Sequence, residues 1–250
     1  MNSSETTLEG RLMVVAGGGH FGVRAAKHAK ESHARVAIVD INPKCAAAEY
    51  ADRTLWAHEK RALDIPKGSA VLFIQDAVDF ILDLLRLTTP DYIVPAVPGH
   101  LAGRVVEKCL KSKGFCPSSA SSAARRIASA LPQGIVLNTD EANGIIVTSY
   151  MQRYLVCKVP CSQPGDRCPT TGRVKAGPMH HVLSKALVGN VDLSRVLVSR
   201  LVSSEAGCFR GADLASLLAD AGRFNPPYTL AVATSCECHG VLNLFSVSKA

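Results

Sequence analysis

The sequence predicts an α/β protein whose larger part is a doubly wound parallel sheet, followed by a smaller α/β domain with a cysteine-rich loop. Short, continuously apolar runs alternate with helical patterns through the first 114 residues. This alternation is typical of parallel strands that are covered by helices on both faces. A glycine-rich turn also joins the first apolar run to the first helical pattern, in LMVVAGGGHFGVRAAKHA at positions 12–29.

The first part of the chain is predicted to hold five strands and four helices. In the third helix, apolar residues recur at the spacing of one helical face. The predicted strands are Leu12–Ala16, Val36–Val39, Thr54–Ala57, Ala70–Ile74 and Tyr92–Val97. The predicted helices are Phe21–Lys30, Lys44–Tyr50, Ala77–Leu87 and Leu101–Lys111.

The composition changes near residue 114, which predicts a first domain over 1–114, a connector with a short helix over 115–133, and a second domain over 134–250. Residues 134–150 have the pattern of a hairpin, two β-rich runs around a polar turn that contains glycine. Further elements are predicted as helices at His180–Val188 and Ala212–Ala221, strands at Arg195–Val202 and Tyr228–Thr234, and a stretch of either type at Val241–Val247.

The composition is that of an ordinary globular protein, with 250 residues, 47% hydrophobic and 20% charged. The net charge of +7 comes from scattered basic residues, so a solvated surface is predicted in preference to a nucleic-acid face. No segment has the ~20 apolar residues of a membrane span, and the polar first residues lack the apolar run of a secretory signal. A cytoplasmic location is therefore expected. The nine cysteines would then be thiols or metal ligands, not disulfides.

The glycine turn has the pattern Gly17-x-Gly19-x-x-Gly22, and Asp40 closes the next predicted strand. In a dinucleotide-binding loop the first glycine allows the tight turn, the second lets the backbone approach a pyrophosphate, and the third lets the helix pack against the strand. The amino terminus of the helix then offers unpaired amides and the positive end of its dipole to the phosphates.

An acidic residue at the end of the second strand favours NAD, because a carboxylate accepts hydrogen bonds from the ribose hydroxyls and repels the 2′-phosphate of NADP. Asp40 has this position. A glycine turn that holds no cofactor is the alternative reading. The predicted cofactor-binding residues are Gly17, Gly18, Gly19, His20, Phe21, Gly22, Asp40, Ile41, Pro95 and Val97.

The stretches VVAGGGHFGVRAAKHA and VAIVDINPKCAAA resemble the NAD-binding domain of TrkA-type potassium-uptake regulators over roughly the first 110 residues. The resemblance implies a Rossmann domain that binds NAD or a related nucleotide. A weaker likeness to precorrin-2 dehydrogenase, which has a similar glycine triplet, ends after the second strand.

Later stretches extend the resemblance over most of the chain. PDYIVPAVPGHLAGRVVEKCL, CPTTGRVKAGPMHHVLSKAL and ATSCECHGVLNLF look like an uncharacterised prokaryotic family that joins a TrkA-like Rossmann domain to a cysteine-bearing C-terminal domain. That family brings no established activity, so the resemblance implies a fold and a cofactor but no reaction.

Five cysteines form a candidate metal site. Cys157, Cys161 and Cys168 lie in a proline-rich loop at C-x₃-C-x₆-C spacing, and Cys236 and Cys238 follow a predicted strand. The spacing matches neither common zinc ribbons nor ferredoxins, and both zinc and an iron–sulfur cluster accept ligands that are all cysteines. Reduced cysteines with no common site are the alternative.

The sequence contains no Walker loop, G-x-S-x-G elbow or H-E-x-x-H motif, and no catalytic residue is predicted. The favoured interpretation is an NAD(P)-binding oxidoreductase with a cysteine-ligated metal or iron–sulfur centre, acting on a small-molecule substrate, as a monomer or a homo-oligomer. A non-catalytic NAD-responsive regulator of the TrkA type and an enzyme similar to precorrin-2 dehydrogenase are the alternatives.

Overall fold

A computed structural model describes residues 8–56, 64–155, 157, 161, 165–202 and 206–249. Contacts divide the chain into two compact units. The first contains the chain up to Leu101 together with Arg200–Ala212, and the second contains Ala102–Ser199 and Asp213–Ala250. The described part holds two sheets and six α-helices, so the mixed α/β class is confirmed.

The first unit is built on a seven-stranded sheet. Five neighbouring strands in the order β5-β1-β2-β4-β3 are parallel, and a two-stranded antiparallel ribbon, β10-β11, extends the sheet beyond β5. The strands are β1 (Leu12–Ala16), β2 (Arg35–Asp40), β3 (Arg53–Trp56), β4 (Ala70–Ile74), β5 (Tyr92–Pro95), β10 (Arg200–Leu201) and β11 (Gly207–Arg210).

Continuous burial explains why the central strands form where the sequence predicts them. Every residue of β1 and β4 is buried, as expected for strands between two helical layers. Two helices belong to this unit, α1 (His20–Glu31) and α2 (Ala77–Leu87). The carboxylate of Asp76 caps α2 by accepting hydrogen bonds from the amides of Val78 and Asp79.

Several predicted bounds in this unit need correction. The predicted helix Lys44–Tyr50 is a 3₁₀ turn over Ala46–Tyr50, and the predicted strand Tyr92–Val97 ends at Pro95, because the amide of Ala96 turns back to the carbonyl of Val94. Ala57, the last residue of the predicted third strand, lies outside the described residues.

The predicted strand Arg195–Val202 includes β10, but β11 and its pairing with β5 were not predicted. The ribbon packs side chains into the core of the first unit, where Cys208 is 2% and Phe209 1% exposed. Burial raises the pKa of the Cys208 thiol to about 12, so it behaves as a small apolar residue.

The second unit is built on a sheet in the order β7-β8-β13-β12-β9, with β6 paired to β13 as well. β9 and β12 are parallel and the other pairs are antiparallel. The strands are β6 (Phe115–Ser119), β7 (Val136–Asp140), β8 (Ile145–Ser149), β9 (Leu193–Val198), β12 (Tyr228–Ser235) and β13 (His239–Lys249). The helices are α3 (Leu101–Ser112), α4 (Ser121–Ala130), α5 (Met179–Leu187) and α6 (Gly211–Ala221).

The contact division differs from the predicted boundaries in two places. It falls after Leu101 instead of residue 114, because α3 lies so close to β13 that a Cβ on Gly103 would overlap the side chain of Asn243. Residues 115–133 are also more than a connector, since β6 pairs with β13 through residues 115–119. The stretch Val241–Val247 belongs to strand β13.

Candidate functional site

The glycine loop connects β1 to α1 and is shaped by close backbone contacts. Gly17 has φ +105°, and a Cβ there would lie 2.6 Å from the carbonyl oxygen of Ala96. A Cβ on Gly22 would overlap the carbonyl oxygen of Gly17. Both glycines are therefore required by the packing of α1 against the strands.

Gly18 is held by the segment that follows β2. The carboxylate of Asp40 accepts hydrogen bonds from the amides of Gly18, at 2.6 Å, and Asn42, at 2.8 Å. The carbonyl of Gly18 accepts from the amide of Ala47, and a Cβ on Gly18 would overlap the side chain of Cys45. The structure therefore brings Asp40 against the loop.

Gly19 differs from its neighbours because nothing lies within 4 Å of where its Cβ would be. Its φ of −78° is accessible to any residue. It is the N-cap of α1, where no side chain caps the helix and the first turn carries no acidic residue. The amino terminus of α1 is thus open, with His20 and Phe21 exposed beside it.

The other residues that were predicted to bind the cofactor differ in how close they lie to this loop. Pro95 pairs with Ala16 in the sheet, and a Cγ of Val97 would lie 3.1 Å from a Cβ on Gly17, so the end of β5 adjoins the loop. Ile41 follows Asp40 but is 74% exposed.

In the second unit, Cys168 and Cys236 each begin a tight turn. Cys236 lies in the hairpin between β12 and β13, where its sulfur accepts from the amides of Cys238 and His239, both at 3.4 Å. At Cys168, the carbonyl accepts from the amide of Gly172 and the amide donates to the carbonyl of Arg173, both at 2.8 Å.

Lys175 places a positive charge among these sulfurs. Its side chain is 7% exposed, and its Nζ donates to the sulfur of Cys238 at 3.1 Å. Nζ also lies 5.8 Å from the centre of the Tyr150 ring.

The pKa values of the thiols reflect these contacts. At Cys168, burial by itself would raise the pKa of the thiol. The hydrogen bonds from Thr171 and Thr170 and the charge of Lys175 outweigh burial, so the pKa is lowered. Burial raises the pKa of Cys238, and Lys175 opposes this rise. Burial, followed by the charge of Cys161, raises the pKa of Cys157.

Several of the five predicted metal-binding cysteines lie close enough together to raise one another's pKa. Cys157 interacts with Cys161, Cys238 and Cys168, and Cys238 interacts with Cys236 and Cys161. Across the described residues, no group of three or more His, Cys, Asp or Glu side chains has the geometry to hold a metal ion. The predicted loop between Cys157 and Cys168 also includes residues 158–160 and 162–164, which lie outside the described part.

An open cleft of about 280 Å³ adjoins the cysteines, and Cys236 and His239 line it. Hydroxyl groups from Thr148, Ser235 and Thr234 contribute to the same lining. This volume lies just below the range of about 300–1,000 Å³ that is typical of small-molecule pockets.

Sequence analysis missed Lys175, Thr170 and Thr171. The signal for the threonines was present in Cys168-Pro-Thr-Thr-Gly172, where Pro and Gly predict a tight turn that aims amides at the cysteine. Lys175 carries no such signal, because lysine is ordinarily exposed.

The chain matches models of an uncharacterised protein family. The family model AF_1314_N, described as the N-terminal domain of an uncharacterised protein, matches residues 12–101, and AF_1314_C, the C-terminal domain, matches residues 102–248. The chain belongs to this family. The junction of the two models coincides with the contact division after Leu101.

A relative from Archaeoglobus fulgidus (strain ATCC 49558 / DSM 4304 / JCM 9628 / NBRC 100126 / VC-16) is 29% identical over 229 residues, which are 92% of this chain and 96% of the relative. It is named only as an uncharacterised protein.

The structure also has a distant match to the ADP complex of purK, N5-carboxyaminoimidazole ribonucleotide synthetase, with a TM-score of 0.31 and 13% identity. The match covers 96% of this chain and 48% of that protein, so the chain spans about half its length. In the described part of the chain, no helix is both long and apolar enough to cross a membrane.

Proposed function

We propose that this protein binds a dinucleotide at the glycine loop of a Rossmann-like, doubly wound first unit, and that the dinucleotide is NAD in preference to NADP. The observation that carries the proposal is the open space at Gly19. Parallel β1, β2 and β4 with the helix α1 after β1 supply the strand–turn–helix setting that such a loop requires.

The glycines of the loop separate into two classes. Gly17, Gly18 and Gly22 are each explained by contacts inside the protein. Gly19 is not, because its backbone conformation suits any residue and a side chain there would project into open space. A glycine that the fold does not require is expected where a ligand must approach the backbone closely.

The chemistry beside Gly19 suits phosphate. An α-helix of 12 residues begins there, and its first amides and its dipole both favour an anion. No acidic side chain lies in the first turn to compete with one. The pyrophosphate would therefore lie against the amides of Gly19, His20 and Phe21.

Asp40 supports NAD over NADP. Two backbone amides hold its carboxylate against the loop, and the side chain remains partly exposed. A carboxylate fixed at this place accepts hydrogen bonds from ribose hydroxyls and disfavours a 2′-phosphate.

An oxidoreductase that moves hydride to or from a small-molecule substrate is the activity that best uses a bound NAD. The end of β5, with Pro95 and Val97, adjoins Gly17 and lies at the carboxyl edge of the strands, where open parallel sheets bind ligands. These residues would border the nicotinamide. The proposal assigns no residue as the acid or base of the reaction.

The test compares Gly19→Val with Gly165→Val by calorimetric titration with NAD and NADP. Gly165 is a matched control, because it too has nothing within 4 Å of a Cβ and no positive φ. Native protein and the control are expected to bind NAD with the same affinity. Gly19→Val should bind about tenfold or more weakly because its side chain occupies the phosphate space.

Equal NAD affinity in native protein and Gly19→Val, or no binding by native protein, would refute the dinucleotide site. Turnover is a separate test. If NAD binds but no substrate in a broad screen changes the nicotinamide absorbance, the oxidoreductase proposal fails and a regulatory role remains.

A further inference from the structure

Three arginines line one cavity of the first unit, at the amino edge of its parallel strands. The cavity has a volume of about 260 Å³, and its lining includes Arg11, Arg200 and Arg210 together with Thr89 and Asp91. We propose that this cavity binds a small dianion of the phosphate class, either inorganic phosphate or the phosphate group of a small ester. The site is separate from the dinucleotide site and does not depend on it.

The register of the sheet brings the three arginines to one face. Tyr92 on β5 pairs with Met13 on β1 and with Arg210 on β11. Residues that pair directly share a face of a sheet, and so do residues two apart in one strand. Arg11 lies two residues before Met13, and Arg200 pairs with the residue two before Arg210. Three separate segments of the first unit therefore present arginine from the same face.

The cavity lies at the end of the strands opposite the glycine loop. Arg11 directly precedes β1, and Asp91 directly precedes β5, whereas the glycine loop follows β1 at its carboxyl end. The five residues of β1 span roughly 17 Å, at about 3.3 Å per residue. One phosphate group therefore cannot contact both sites.

The charges that line the cavity are not balanced within the protein. Arg11 donates to the carboxylate of Asp91 at 3.0 Å, and the same carboxylate accepts the amide of Leu12 at 2.8 Å. Within the part of the chain that the structure describes, neither Arg200 nor Arg210 forms an ion pair with a carboxylate. One carboxylate among three guanidinium groups leaves a charge of about +2. A phosphate ester carries about −1.5 to −2 at pH 7, so its charge complements that of the cavity.

The chemistry and size of the cavity favour a tetrahedral oxyanion. A guanidinium group presents its N–H donors in a rigid fork that suits the oxygens of phosphate. Three such groups can each engage a different phosphate oxygen, whereas a carboxylate group has only two oxygens to offer. The hydroxyl-bearing residues Thr89 and Tyr92 belong to the same lining. The volume lies below the range of about 300–1,000 Å³ that is typical of small-molecule pockets, so free phosphate or a small ester has the expected size.

The test titrates the full chain by calorimetry with inorganic phosphate and with glycerol 3-phosphate, in a buffer that holds no other polyvalent anion. Native protein should bind at least one of the two saturably, with a Kd of about 1 mM or below. A lower Kd for the ester identifies a small phosphate ester as the ligand class, and a lower Kd for inorganic phosphate identifies the free anion. Malonate, a dicarboxylate, should bind more weakly than either.

Variants test the arginines. Arg200→Gln and Arg210→Gln should each weaken phosphate binding by about 10- to 100-fold, because each removes a charge-assisted hydrogen bond. Arg53→Gln is the matched control, since Arg53 is an exposed arginine on β3, at the other end of the same sheet and outside the cavity lining. This control should bind phosphate with native affinity. Circular dichroism of each variant separates lost binding from unfolding.

Four results would overturn the proposal. The first is no saturable binding of either phosphate compound to native protein, and the second is unchanged affinity in folded Arg200→Gln and Arg210→Gln. The third is tighter binding of malonate than of phosphate. The fourth is displacement of the phosphate by excess NAD, which would place it in the dinucleotide site. Failure of NAD to bind at all would refute the dinucleotide site and leave this cavity unaffected.

Discussion

Asp40 is the residue that links the fold of the glycine loop to the choice of cofactor. Its carboxylate holds the amide of Gly18 at 2.6 Å and that of Asn42 at 2.8 Å. One side chain therefore both shapes the loop and presents a negative charge where the ribose of a dinucleotide is expected. The two roles can be separated because only the second depends on which nucleotide is offered.

We expect Asp40→Ser to weaken NAD binding by about tenfold or more, since a charge-assisted hydrogen bond contributes about 1.5–3 kcal/mol. NADP should lose less affinity, or gain some, because its 2′-phosphate no longer meets a carboxylate. Titration with both nucleotides measures the ratio of the two affinities.

Asp52→Ser is the matched control for this experiment. Asp52 also accepts a backbone amide, that of Ala70, and pairs with Lys30, but it directly precedes β3. The NAD-to-NADP ratio of this control should equal that of native protein. An unchanged ratio of NAD to NADP affinity in Asp40→Ser would show that the carboxylate does not recognise the ribose.

Helix α1 shows how closely two elements must pack for the candidate site to exist. It approaches β1 so closely that a Cβ on Gly22 would overlap the carbonyl oxygen of Gly17, whereas Gly19, one turn earlier, has open space. The same residue type thus serves packing at one position and access at the other.

Gly22→Ala should lower the free energy of unfolding by about 1–3 kcal/mol, the usual cost of overpacking. Gly19→Ala should change it by about 0.5 kcal/mol or less, as is usual for open surface positions. Urea unfolding of both variants in nucleotide-free buffer gives the comparison. A larger loss for Gly19→Ala than for Gly22→Ala would contradict the distinction between the two glycines.

Strand β13 shows why part of the second sheet escapes prediction. It pairs with β8 through residues 239–243 and with β6 through 245–249. Residues 115–119 contain a proline and end in two serines, so their own pattern indicates a connector. Only pairing with a strand more than a hundred residues away makes them β-structure, since strand preference depends on context.

At the scale of the whole molecule, local patterns predicted most of the first unit. β1, β4 and α2 have the expected bounds, because buried strands and amphipathic helices can be recognised from the spacing of their apolar residues. The β10-β11 ribbon joins β5 from more than a hundred residues away and carries no such local signal. Residues Arg200–Ala212 therefore belong to the first unit, although they follow Ala102–Ser199 of the second unit in the sequence.

The candidate sites follow the same rule. The loop from Gly17 to Gly22 and the five cysteines are visible in the sequence because residue type and spacing carry the chemistry. Lys175 became evident only through its burial and its contact with Cys238, which depend on the folding of distant segments.

A crystal structure of the protein grown with NAD tests the dinucleotide site. We expect the pyrophosphate to lie against the amides of Gly19, His20 and Phe21, with a ribose hydroxyl hydrogen-bonded to Asp40. A glycine loop without nucleotide under saturating NAD, or NAD bound elsewhere on the chain, would contradict it.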